Sequence, residues 1–247
     1  MANGLLEKNQ VENAFSRFVS PKVAKQIMEN LDGVSLGGKQ VQATTLFADI
    51  VGFTTMSTRM PAEDVAALLN DYFRYINMAS KIYHGTIDKY IGDCAMIVFG
   101  APEEDKAHKF NAVLCAVMIQ RMVDRLNMNR IQQGKEAIHF RIGLNSGEVL
   151  AGNMGSEDRM QYTVVGESVN LAARLHSVAE RGQVIVTDLF VKDPDVQWLL
   201  LAHRHKSIQL RGIAEPVTTY VVTDVKAEYS KIINDQLDEI ISIQNVA

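Results

Sequence analysis

The stretch Thr45-Leu46-Phe47-Ala48-Asp49-Ile50-Val51-Gly52-Phe53-Thr54-Thr55 sets the frame for reading this chain. Leu46 and Phe47 sit in a run from Val41 to Val51 that is long and apolar enough for a buried strand. One carboxylate, Asp49, interrupts it near its end, and a buried Asp is costly unless something positive pairs with it. Gly52 then permits a tight turn, and Phe53-Thr54-Thr55 leads towards a helix, so free backbone N–H groups gather just beyond the carboxylate. A second stretch, Lys89 to Phe99, reads as strand, Gly92-Asp93 turn, strand, and presents Asp93 at a hairpin tip. Singly, each Asp is an ordinary turn former. Together, two carboxylates at strand ends beside a phosphate-friendly turn suit a two-metal site for a nucleoside triphosphate.

Working outward, residues 1–40 read as a helical preface and linker. Val11 to Phe18 and Val23 to Leu31 are short helical patterns, with Ser20-Pro21 as cap and first helical position of the second. Gly33 to Gly38 carries three glycines and reads as the linker. A strand over 41–50 gives way at Pro61 to a helix over 62–83, whose Val65, Leu68, Leu69, Tyr72, Phe73 and Ile76 follow the 3.6-residue period. A hairpin over 86–99, a helix over 105–128 and a strand from Ile138 to Leu150 follow. The order β-α-β-β-α-β predicts an α+β fold with a ferredoxin-like, palm-type core. The segment from Glu148 to Gly166 reads either as a projecting hairpin arm suited to clasping a dimer or as a surface excursion. Beyond it come a helix from Ser168, a strand over Val184 to Val186, a helical stretch with Trp198, and C-terminal strands over 205–211 and 217–223. The tail, 226–247, has apolar residues at Ile232, Ile233, Leu237, Ile240 and Ile241. It forms an amphipathic helix that packs either on a partner or on the domain itself.

Composition narrows the class. The 247 residues suit one generous domain with appendages, and an apolar fraction of 47% supports a globular core. A net charge of −4 argues against a nucleic-acid partner, which needs a basic face. Cys94 and Cys115 form no CxxC pair and read as core thiols of a reducing compartment. His203 and His205 share a strand face but lack further ligands for zinc. With no bilayer-length apolar run and no signal peptide, the chain is expected to be soluble and cytoplasmic, its parent protein free or membrane-tethered.

The strings FADIVGFT (47–54), KYIGDCAMIVFG (89–100), RIGLNSGEVLAGNMGS (141–156) and YTVVGESVNLAARL (162–175) closely resemble the class III nucleotidyl cyclase catalytic domain, over about residues 40–224. The resemblance is to a bacterial, homodimeric adenylate cyclase, with the catalytic unit at 41–225. It implies that the ribose 3′-hydroxyl of ATP attacks the α-phosphate in line, releasing pyrophosphate and 3′,5′-cyclic AMP. Two Mg²⁺ or Mn²⁺ ions would be held by Asp49, Asp93 and the Ile50 carbonyl, and the N–H groups around Gly52, Phe53 and Thr54 would cradle the outer phosphates. Asn170 and Arg174, four apart on one helix face, match the family's transition-state pair. Arg211 stands where the family often has a triphosphate-binding lysine, with Lys206 close enough to compete.

Base choice falls to Lys89 and Thr163. A lysine can only donate, which suits adenine N1 and opposes guanine N1–H. Thr163 occupies a position where many relatives carry Asp. Its hydroxyl can accept from adenine N6 or donate, so it discriminates less sharply. Relatives with Thr there include bicarbonate-responsive enzymes, so bicarbonate is an expected activator. The resemblance also implies a homodimer with two shared sites: one subunit supplies Asp49 and Asp93, the other Lys89, Thr163, Asn170, Arg174 and Arg211. An upstream regulatory module would act by rotating one subunit against the other. The competing readings are an inactive nucleotide-binding homologue that pairs with an active partner, and another palm-like nucleotidyl transferase.

Overall fold

A computed structural model describes residues 15–16, 18–29, 35–209 and 215–244. Most of the first helical pattern, part of the glycine linker and Arg211 lie outside the described residues. Strand β1 (Gly37–Ile50) is the spine of the sheet. It pairs antiparallel with β3 (Cys94–Phe99) through Thr44–Asp49, and with β4 (Phe140–Ser156) from Gly37↔Asn153 to Ile50↔Phe140. Its side chains alternate as a strand's must. Leu46, Ala48 and Ile50 enter one core, while Ala43 and Phe47 enter a second core on the opposite face.

The first core is closed by two long helices, α3 (Ala62–Ile82) and α4 (His108–Gln132). Leu68, Tyr72, Ile76 and Ala79 recur every three or four residues on α3 and are buried. Before α3 comes the short helix α2 (Phe53–Ser57), and before β1 the helix α1 (Pro21–Glu29). Strand β2 (Thr86–Ile91) pairs with β3, completing the order β2-β3-β1-β4 with helices on one face. That is the ferredoxin-like βαββαβ arrangement read from the sequence. Past β4 the sheet continues through β6 (Val184–Thr187), β8 (Val217–Val225) and β7 (Leu200–Ile208), while β5 (Arg159–Val165) pairs with the outer half of β4. Helix α5 (Glu167–Val178) lies on β4 and β1 across the second core. The one-turn helix α6 (Asp188–Val191) is capped by Thr187, whose Oγ1 accepts from Phe190 N.

Three expectations are corrected, and one is met. The glycine linker ends sooner, because β1 already starts at Gly37. Gly38 and Gly152 are there for close approach: a Cβ on Gly152 would sit 2.1 Å from the Gly37 carbonyl oxygen, so the paired backbones exclude any side chain. The segment 148–166 is the expected hairpin, β4 turning at Glu157-Asp158 into β5, with β1 flanking β4 on its other side. Val149, Ala151 and Val164 at its root are buried, while the tip from Gly155 to Arg159 and the side chains of Leu150 and Val165 are exposed. The expected helix around Trp198 is a turn, with Trp198 Nε1 donating to the Asp195 carbonyl, and β7 begins at Leu200 and ends at Ile208.

The tail forms α7 (Ala227–Gln244) and docks on its own domain. Ile233, Leu237 and Ile240 are buried in the first core beside α4. Arg121 of α4 donates to the Ser230 carbonyl at 2.7 Å and to Asn234 Oδ1 at 3.0 Å, and Tyr83 donates to Gln236 Oε1 at 2.6 Å. Truncating the fully buried Leu237 leaves a cavity as well as losing transfer energy. Leu237→Ala is expected to cost about 2–4 kcal/mol, read as a lower denaturation midpoint. An unchanged midpoint would mean that α7 is not docked in solution. Among the described residues, no helix is long and apolar enough to cross a membrane.

Candidate active site

Asp49 is the penultimate residue of β1, with Cys94 of β3 opposite it on one side and Arg141 of β4 on the other. It is buried, 7% exposed, so its charge needs an answer, and Arg141 gives one. Nε and Nη2 of Arg141 lie 2.7 and 2.6 Å from Asp49 Oδ2. Arg141 lies within the motif RIGLNSGEVLAGNMGS, and nothing in its local pattern assigns it a role. The signal was its register, one strand across from a buried carboxylate.

Asp93 follows Gly92, whose φ of 62° makes the two-residue turn between β2 and β3. That turn brings the Asp93 carboxyl close enough to Asp49 for the two to interact. Burial first, and then the charge of Asp49, push the Asp93 carboxyl up to about 6. Cys94 Sγ and a His176 ring nitrogen complete a cluster with Asp49, all within 4.8 Å of one another. Burial and the two aspartates push the Cys94 thiol up to about 12, so at neutral pH it is a protonated thiol. Burial also holds the half-buried His176 imidazole below its ordinary value, and the ring stacks on Phe47 at 5.6 Å. Two carboxyl groups crowded together with one guanidinium form an oxygen-rich donor set, which fits a hard divalent cation.

This crowding makes stability depend on pH. Because the folded Asp93 carboxyl titrates near 6, above its ordinary 3.8, the folded state binds more protons than the unfolded state between those values. Metal-free protein therefore gains stability from this group as pH falls from 7 towards 4. Asp93→Asn removes the repulsion, so in chelator it should melt above the parent at pH 7 and lose that advantage progressively as pH falls towards 4. A constant offset across that range would contradict the assignment.

Past Asp49, Ile50 ends β1 and Val51 N donates to the His139 carbonyl at 2.8 Å. Gly52 then takes φ 74°, ψ 16° at the start of α2. A left-handed turn of this kind is cheap only for glycine. No side chain caps α2 there, so the backbone groups of Phe53 and Thr54 begin a short helix next to the acidic pair.

A second cluster forms where β5 meets β2. Lys89 Nζ donates to Thr163 Oγ1 at 3.1 Å, and Thr163 Oγ1 donates to Asp88 Oδ2 at 2.6 Å. The ladder slips between Ile87 and Lys89. This bulge lets two consecutive side chains, Asp88 and Lys89, both reach Thr163. Asp88, like Arg141, belongs to no functional pattern visible in the sequence. An Asp-Lys pair inside a strand was its only signal.

Asn170 and Arg174 lie elsewhere. On α5, Val169, Ala172 and Leu175 are buried towards the sheet. At 100° per residue, Asn170 and Arg174 each fall about 160° from Ala172, on the opposite side of the helix. Asn170 is exposed and Arg174 half-buried. One chain thus joins Asp49 to Asp93 and Lys89 to Thr163, but turns its Asn170 and Arg174 away from its own acidic pair. His203 of β7 is exposed, and no metal cluster among the described residues includes it or His205.

A βαββαβ sheet with two carboxylates at the ends of adjacent strands defines a palm-type domain. The chain belongs to the Adenylate and Guanylate cyclase catalytic domain family, which matches residues 38–224. An uncharacterized protein of Mycobacterium tuberculosis is 33% identical over 225 residues, covering 88% of this chain and 39% of the relative. Another from that organism is 38% identical over 183 residues, covering 73% of this chain and 32% of the relative. The chain spans about two fifths or less of the length of these curated relatives. The crystal structure of the adenylyl cyclase CyaB from P. aeruginosa is similar, with a TM-score of 0.73 and 32% identity over 78% of this chain and 98% of that one. The guanylyl cyclase Cya2 gives the same TM-score, identity and coverage. The guanylate cyclase domain of RhGC from Catenaria anguillulae, in complex with GTP, has a TM-score of 0.69 and 30% identity over 76% of this chain and 100% of that one. Similar structures therefore include both purine specificities, and the fold does not choose between them.

Proposed function

We propose that this chain is an adenylate cyclase that converts ATP to 3′,5′-cyclic AMP and pyrophosphate at sites shared between two copies. The observation that carries this is the meeting of Asp49 and Asp93 beside the Gly52 turn, a concentration of negative charge that a bound cation relieves. Two Mg²⁺ or Mn²⁺ ions, held by Asp49, Asp93 and the Ile50 carbonyl, would acidify the ribose 3′-hydroxyl and neutralise the triphosphate. The backbone N–H groups of Gly52, Phe53 and Thr54 would take the outer phosphate oxygens. Were Asp49 to bind a cation, the Arg141 guanidinium now bonded to it would be able to meet phosphate oxygens instead. Arg211 would add a further positive charge, with Lys206 as the alternative. Asn170 would orient the ribose, and Arg174 would meet the charge developing on the α-phosphoryl oxygens.

Because Asn170 and Arg174 face away from their own Asp49, they suit the site of a second copy. The same logic gives each protomer one set of metal ligands and one purine-reading wall. Lys89 would donate to adenine N1 and Thr163 would accept from N6. The proposed catalytic unit is 41–225, with 1–40 as its input from an upstream module and 226–247 as its tail. The cytoplasm, where ATP is plentiful, is its proposed place. The expected bicarbonate activation rests on the Thr163 resemblance alone and gains no support from the described residues.

Chromatography of products from ATP and Mn²⁺ tests the reading. Cyclic AMP and pyrophosphate are expected from the parent, with none from Asp93→Ala or Asn170→Ala. A linear or dinucleotide product would favour another palm-like transferase, and no product at all an inactive homologue.

A further inference from the structure

The hydroxyl of Thr163 is not free to turn. Asp88, whose side chain is 3% exposed, accepts the Thr163 hydroxyl hydrogen on Oδ2 at 2.6 Å and the Val164 N–H on the same oxygen at 3.4 Å. Lys89 Nζ spends one N–H on Thr163 Oγ1 at 3.1 Å and lies 3.1 Å from Asp88 Oδ1. A threonine hydroxyl has one hydrogen and two lone pairs, whereas a lysine ammonium has three hydrogens and no lone pair. With the hydrogen committed to Asp88 and one lone pair to Lys89, all that Thr163 can still offer a ligand is its second lone pair. Burial pushes the Asp88 carboxyl up, while Thr163, Lys89 and the Val164 N–H oppose that shift by stabilising the carboxylate.

We propose that Asp88 is the residue that sets purine specificity, by drawing the Thr163 hydroxyl proton to itself so that Thr163 meets the purine only as an acceptor. This deepens the adenylate cyclase reading and rests on it. The exocyclic amine of adenine brings a hydrogen to that lone pair. The 6-carbonyl of guanine brings a second lone pair, and guanine N1–H meets the Lys89 ammonium. Asp88 touches neither the base nor the reacting atoms, so it acts as a positioning residue. The ambiguity of a threonine at this place, which can donate or accept when alone, is removed by its neighbour.

The test is a double-mutant cycle read as the ATP:GTP ratio of kcat/KM, with folding checked by thermal melts. The amide of Asp88→Asn can donate to Thr163 Oγ1, which frees the hydroxyl hydrogen to point at the base. The expected result is a fall in the ratio of about tenfold or more, the size of one mispaired buried hydrogen bond. In a Thr163→Val background there is no hydroxyl to orient, so Asp88→Asn should leave the ratio unchanged. Asp88→Ala frees the same hydroxyl and gives the same readout if the asparagine variant does not fold. Thr163→Ser, which keeps the hydroxyl, should keep the parent ratio. An equal fall in both backgrounds, or no fall in the native one, overturns the role of Asp88 while the cyclase reading stands. A parent that makes no cyclic product from either purine overturns both.

Discussion

Mixing inactive Asp49→Ala protein with inactive Arg174→Ala protein will restore turnover. Alone, each variant is expected to fall by on the order of a thousandfold, because one loses a proposed metal carboxylate and the other a proposed group for transition-state charge. The basis for recovery is the geometry of α5. Its buried stripe faces the sheet, so Asn170 and Arg174 project from the far side of the helix. If they complete the site of a second copy, a mixed dimer holds one doubly damaged site and one intact site. The intact site takes Asp49 from the Arg174→Ala copy and Arg174 from the Asp49→Ala copy. With free exchange, half the dimers are mixed and each has one working site of two, so recovery should reach about a quarter of parent activity. Mixtures no better than either variant alone would show that Arg174 does not complete the site of a second copy.

Arg141→Met should lower the stability of the metal-free protein at pH 7 and raise its response to divalent cation. The guanidinium is the positive group bonded to Asp49, and the substitution keeps most of the side-chain bulk while leaving two carboxyl groups to repel each other. Removing one partner of a fully buried pair costs about 3–5 kcal/mol. Arg141 is 30% exposed at its side chain, so solvent screening brings the expectation down to about 2 kcal/mol. For a domain of this size that is roughly 4–8 °C in melting temperature. Mn²⁺ should recover most of it by replacing the lost charge, whereas in chelator the deficit should shrink as pH falls below 6 and Asp93 takes up a proton. A deficit indifferent to both metal and pH would show that Arg141 acts through packing alone.

Local pattern carried most of the architecture. Alternation in β1, the 3.6-residue stripe of α3 and the Gly92-Asp93 turn each express themselves over a few neighbouring residues, so the βαββαβ core was legible. The start of β1 was not, because glycines read as a linker were serving the close pairing of Gly37 and Gly38 with Asn153 and Gly152. The turn at Trp198 and the docking of α7 were also hidden. A helix with a single apolar stripe looks the same whether its partner is α4 or another chain.

The candidate site divides in the same way. Asp49 and Asp93 were readable from sequence because each sits at the end of a strand or turn that its own neighbours specify. Lys89 and Thr163 were paired by family resemblance, and the contact between them depends on β5 reaching β2. Arg141 and Asp88 were missed for one reason: each matters through a partner far away in the chain. Sequence alone determined which carboxylates, amides and cations this chain owns and the order of strands and helices that carry them. Tertiary structure alone decided that Arg141 neutralises Asp49, that Asp88 holds the Thr163 proton, and that Asn170 and Arg174 turn away from their own acidic pair. Strand register and sheet curvature bring residues some 75 to 92 positions apart within 3 Å, and no local pattern encodes such a distance.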